Sequence, residues 1–141
     1  MSKPIGAIVW PSNPSDSVSL LLKYMVRVLE TVGFSFAAPL HDPIILVKRS
    51  LAKTASDEER RSALTYWWNV VEEKGIRNFE SRDALIARLA VSLLSPTEAQ
   101  ASEFGDQLSW FLEVLGFLEL DVDKAISIME EHFEFRAKRW T

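Results

Sequence analysis

Between Ser95 and Trp140 the apolar positions recur at helical spacing. Phe104, Leu108, Phe111, Leu112, Leu115 and Leu118 follow largely at steps of three and four, which places them on one helix face. A second stripe, Trp110, Val114 and Phe117, widens the apolar arc to roughly 220° at about 100° per residue. A one-sided surface helix needs far less, so this helix is expected to be packed on at least two sides, with Leu108 and Leu112 deep in the core. Ser95-Pro96-Thr97-Glu98 combines an N-cap serine, a proline at the first helical position and a capping-box glutamate, which predicts the helix start.

The same grammar runs through the rest of the chain. Ile5 to Trp10 reads as a short strand or an extended arm tucked against helices. Asn13-Pro14 predicts a cap and first helical residue, followed by an inward face of Val18, Leu21, Leu22, Met25, Val28, Leu29 and Val32. Gly33 suits the left-handed position after that helix, with Phe34 folding back on Leu29. Asp42-Pro43 repeats the cap signal, and Ile44, Val47 and Leu51 then share a face, although the run IILV within 44–53 also fits a buried strand. Ser56-Asp57-Glu58-Glu59 is a second capping box, opening a helix through Leu64, Trp67, Trp68 and Val71. Lys74-Gly75 ends it, with Ile76 placed to contact Val71. Tyr66, Trp67 and Trp68 cannot all face one way, so at least one aromatic belongs at the core edge or on the surface. Ser81 caps ALIARLAVSLL, apolar almost all round and therefore central. A break at Gly116 to Glu119 and a cap at Asp121 introduce a last helix with Val122, Ala125, Ile126, Met129 and Phe133 inward. The expectation is an all-α fold, one compact bundle of about six helices over residues 1–141 joined by short loops, with room for a short N-terminal extended segment.

Composition narrows the function classes. Hydrophobic residues at 48% and charged residues at 26% fit a globular chain. The net charge of −4 supplies no global attraction for nucleic acid or anionic membrane. Without cysteine there is no disulfide, thiolate nucleophile or zinc–thiolate cluster. No uncharged apolar run approaches the roughly 20 residues of a membrane span, and the apolar run before Pro11 is too short for a signal peptide, so a cytoplasmic protein is expected. The two histidines, His41 and His132, have no metal-ligating partner at helical spacing, and no serine or glycine-rich motif points to nucleophilic or dinucleotide chemistry.

Glu103 and Asp106, three residues apart, put two carboxylates on one flank of the central helix near Trp110. Such a pair holds Mg²⁺ when a facing helix supplies further carboxylates. The stretch SEFGDQLSWFLEVLGFLELDVDKAISIMEEHFEFRAKRW resembles, without gaps, the C-terminal helices of all-α MazG-type nucleotide pyrophosphohydrolases. The resemblance covers the last third of the chain and implies Glu103 and Asp106 as magnesium ligands, with Phe133 and Arg136 matching the family's basic tail. The family's other acidic pair is missing: ALIARLAVSLL carries no acid, and Glu80 and Asp83 fall at the helix start. Where that family tends to place an amide and a lysine, this chain has Glu130, Glu131 and His132.

Two charge features remain. Lys48, Arg49, Lys53, Arg60 and Arg61 cluster at one helix junction, while acids concentrate in the last third. The leading expectation is a protein-interaction module without catalytic residues or cofactor, of the immunity or inhibitor type, that blocks a basic partner such as a toxin or nuclease. Glu113, Asp123, Glu130 and Glu134 are its candidate contacts and Trp140 its aromatic anchor. The alternatives are a divergent Mg²⁺-dependent nucleoside triphosphate pyrophosphohydrolase and a structural homodimer that buries part of the tryptophan-rich surface.

Overall fold

A computed structural model describes residues 4–37 and 40–136. Among these residues there are six α-helices: α1 (Pro14–Thr31), α2 (Pro43–Leu51), α3 (Asp57–Lys74), α4 (Arg82–Leu94), α5 (Phe104–Phe117) and α6 (Val122–His132). Short 3-10 turns span Ile5–Ala7 and Glu98–Glu103. The segment written IILV lies inside α2, because Asp42 accepts from the backbone amides of Ile44 and Ile45 and Pro43 needs no donor there. Helix geometry then turns Leu46 and Val47 inward and leaves Ile45 half exposed.

Helix starts follow the predicted caps at Asn13, Asp42, Ser56, Ser81 and Asp121, each side chain accepting a backbone N–H of the first turn. At Ser56 the full box forms, with the Glu59 carboxylate returning to the Ser56 amide. The start predicted at Ser95 does not form. Ser95 is still right-handed helical, as the C-cap of α4, and its hydroxyl donates to the Val91 carbonyl at 2.6 Å. The 3-10 turn follows, and α5 begins only at Phe104. The stretch EAQASE offers no large apolar side chain to bury, whereas Phe104 is fully buried, so packing sets the start.

Three helices end in the same six-residue closure. The amides of Phe34, Thr54 and Leu120 reach back to the carbonyls of Leu29, Arg49 and Leu115. The left-handed residue is Gly33 in the first, at φ 75°, but Lys53 and Glu119, both at φ 60°, in the others. Gly75 instead takes φ 102° with ψ 123°, which carries the chain away from α3 and leaves Ile76 largely exposed rather than against Val71.

α4 is the centre, with nine of its thirteen residues buried. α3 runs antiparallel to it: Arg60 donates to the Leu94 carbonyl, Arg88 lies by Trp68 and Lys74 faces Asp83. α1 and α6 are also antiparallel, since Tyr24 reaches Ala125 and Leu20 reaches His132. The N-terminal segment is the expected extended arm after its 3-10 turn: Ile8 pairs with Phe135, and Trp10 sets its ring edgewise against Phe104 and Phe133. Of the three consecutive aromatics only Trp67 is buried, and its indole N–H donates to the His41 carbonyl at 2.9 Å. On α5, Leu108 is fully buried while Leu112 is only partly so, which corrects the expectation of a deep Leu112.

Candidate functional site

α5 turns Phe104, Leu108, Phe111 and Leu115 into the core. The opposite side carries Asp106, Trp110, Glu113 and Phe117, at steps of four, three and four, with Glu103 just before it at the N-cap position. At about 100° per residue the four helical positions fall within roughly 60° of one another, a single stripe. Glu103, Asp106 and Glu113 are exposed, Trp110 is half-buried and Phe117 is 50% exposed. Of the second stripe expected to widen the apolar arc, Val114 is fully buried and Trp110 packs at the edge of the core, while Phe117 turns outward.

Neighbouring elements extend the aromatic part of this face. Phe79, from the loop before α4, sits edgewise to Trp110 at 5.9 Å and beside Phe117 at 6.1 Å between ring centroids. The Arg88 guanidinium lies 5.1 Å from the Phe79 ring centre and 6.0 Å from that of Trp68, and it donates to the Ile76 carbonyl. Burial holds the Arg88 pKa below the usual arginine value.

Between Trp68 on α3 and Trp110 on α5 a cavity of about 290 Å³ opens over α4. Val91, Ser92, Ser95, Gln100 and Gln107 complete its lining. The hydroxyls of Ser92 and Ser95 donate to the Arg88 and Val91 carbonyls, and the Gln107 amide donates to Gln100 Oε1 at 3.0 Å. Gln107 Oε1 is buried and accepts nothing within the described residues. Of this pocket the sequence signals only that one of Tyr66, Trp67 and Trp68 must leave the core and that Trp110 belongs to the apolar arc of its helix; Gln100 and Gln107 arrive through packing and carry no motif.

The remaining predicted residues are dispersed. Asp123 and Glu130, seven apart, share the outer side of α6, and Glu134 lies just beyond that helix, its carbonyl accepting the Val9 amide. Trp140 lies outside the described residues. Glu103 and Asp106 are together on the stripe, and among the described residues no group of three or more His, Cys, Asp or Glu side chains gathers to hold a metal ion. The basic junction is largely neutralised: Lys48 pairs with Glu30, Arg49 with Glu59, and Arg60 and Arg61 with Asp57. The hydrogen bonds from Arg60 and Arg49 hold the Asp57 and Glu59 carboxyls below their usual range. Lys53 has no such partner among the described residues and borders a groove of about 340 Å³ beside Ser56 and Arg60.

His132 is half-buried, with Nε2 2.9 Å from the Leu20 carbonyl, and desolvation lowers its pKa. The His41 ring stacks on Tyr66 at 4.5 Å. No helix of the described residues is long and apolar enough to cross a membrane. Comparison with family models, curated proteins and solved structures finds no match.

Proposed function

We propose that the chain is a protein-interaction module of the inhibitor or immunity type, acting in the cytoplasm, whose α5 face covers a basic surface of another protein. The observation that carries this reading is the stripe of Glu103, Asp106, Trp110, Glu113 and Phe117, three exposed acids interspersed with one half-buried and one half-exposed aromatic ring. Apolar rings at a contact supply area and desolvation, while flanking carboxylates steer a positively charged partner and reject a negative one. Phe79, edgewise to Trp110 and tilted against Phe117, is in ring contact with both. Among the acids expected from the sequence to make the contact, Glu113 belongs to this face, and Glu103 and Asp106 join it as contact residues rather than as a metal pair.

The test is to capture partners from the source cell, purify one, and measure its association with the parent and with Asp106→Lys/Glu113→Lys. The expected result is association about tenfold slower with a flatter salt dependence. Unchanged association kinetics would remove the α5 face as the contact surface.

A further inference from the structure

We propose that the cavity between Trp68 and Trp110 receives one arginine side chain from the partner protein. This deepens the reading of the α5 face and rests on it. A volume of about 290 Å³ suits one long side chain rather than a helix or a strand.

The lining specifies a donor. Ser92 and Ser95 have already given their hydroxyl protons to backbone carbonyls, so both oxygens present lone pairs to the cavity. Gln107 Oε1 is buried without a donor, a state that costs free energy until one is supplied. An arginine brings five N–H groups on a flat cation that stacks on indole rings, and both end walls are indoles. A carboxylate or phosphate would find donors in the glutamine amides and indole N–H groups, but it would lie against the lone pairs of Ser92 and Ser95 and bring no proton to Gln107 Oε1.

Charge polarises the cavity. On α4, Arg88 lies one turn before Ser92, and its guanidinium sits closer to the Phe79 ring, at 5.1 Å, than to the Trp68 wall, at 6.0 Å. On the antiparallel α5, Asp106 and Glu103 lie one and two turns before Trp110, toward Gln100 and Ser95. The incoming guanidinium therefore seats at the Gln107 end, under the acids and away from Arg88.

The probe is an acetylated Ala-Arg-Ala amide added to the ¹⁵N-labelled full chain, with the citrulline analogue as its uncharged, nearly isosteric control. The indole N–H resonances of Trp68 and Trp110 should shift saturably with the arginine peptide, and the citrulline peptide should bind about tenfold more weakly. Gln107→Met, which removes the acceptor while keeping the volume, should weaken the arginine peptide by a similar factor. Equal binding of the two peptides, shifts confined to Trp10 or Trp67, or no saturable shift would overturn the proposal. If that happens while Asp106→Lys/Glu113→Lys still slows partner association, the pocket falls and the α5 face stands; if that variant is also silent, both fall.

Discussion

The Tyr24 hydroxyl donates to the Ala125 carbonyl at 2.7 Å and so joins α1 to α6 across 101 residues of sequence. The ring is fully buried, edge-on to Phe111 and tilted against Phe133, and burial drives the phenol pKa far above its usual value. Tyr24→Phe keeps the packing and removes one hydrogen bond, so it should cost about 1 kcal/mol in chemical denaturation. Because the folded-state pKa is raised, this residue's contribution is complete below the unfolded pKa near 10 and is lost as pH rises beyond it. The parent should therefore lose stability above about pH 10, and Tyr24→Phe should lose less. Equal alkaline slopes would show that Tyr24 is not the group responsible.

The two serines that look alike in sequence should behave differently. Ser56 Oγ accepts the Glu59 amide, so Ser56→Ala leaves a first-turn donor unpaired and should cost about 1 kcal/mol. Ser95 Oγ donates to the Val91 carbonyl inside its own helix, so Ser95→Ala should stay within about 0.5 kcal/mol of the parent. Paired denaturation curves separate the two. A Ser95→Ala loss as large as that of Ser56→Ala would place a helix start at Pro96 after all.

Much of the fold was legible because five of the six α-helices carry their start signal beside the residue that uses it. Asn13-Pro14, Asp42-Pro43, Ser56 with Glu59, Ser81 and Asp121 each satisfy amides two or three positions away, a short-range event that sequence spacing encodes. Ser95-Pro96 carries the same letters but lies where two helices meet, and the burial of Phe104 decides the boundary there. The site was legible only in part. Spacing alone places Glu103, Asp106 and Glu113 with Trp110 on one side of α5, but the pocket needs Trp68 and Gln107 brought together across α4, a relation no local pattern records.

Lys53 and Glu119 hold φ 60°, where Gly33 performs the same closure without a Cβ penalty. A left-handed non-glycine residue costs about 1–2 kcal/mol, and glycine returns part of that as entropy lost on folding. Glu119→Gly should therefore raise stability by about 0.5–1 kcal/mol, visible as a higher melting temperature. A lower melting temperature would mean that the Glu119 side chain contributes more than its backbone strain costs.

His132 supplies an acid-side signature. Desolvation, reinforced by the Arg27 and Lys23 charges against the Leu20 carbonyl, lowers its pKa in the fold. For a lowered folded-state value, the stabilisation is present above the unfolded pKa near 6.5 and is lost as pH falls below it. The melting temperature should fall as pH drops below about 6.5, and His132→Gln should flatten that slope. A slope unchanged by the substitution would show that His132 is not the group responsible, since the lowered pKa values of Asp57 and Glu59 act only in a more acidic window.

Location can be separated from total charge in the proposed contact. Asp106→Lys/Glu113→Lys alters the α5 stripe, and Asp123→Lys/Glu134→Lys alters α6 and the residue beyond it. Each replacement adds +2, so either pair takes the net charge from −4 to 0, and long-range attraction for a basic partner weakens equally. Any difference then reports where the partner sits. All four acids are exposed, so folding should survive, although a lysine at Asp106 or at Asp123 opposes the dipole of α5 or α6 and costs several tenths of a kcal/mol in either pair. The α5 pair should slow association about tenfold and the α6 pair only about twofold at physiological salt. Phe117→Ala, which removes a half-exposed ring in contact with Phe79, should instead act on dissociation, as loss of a central anchor does. Equal slowing by both pairs, with no effect of Phe117→Ala on dissociation, would mean that net charge alone draws the partner and that the α5 stripe is an ordinary solvated face.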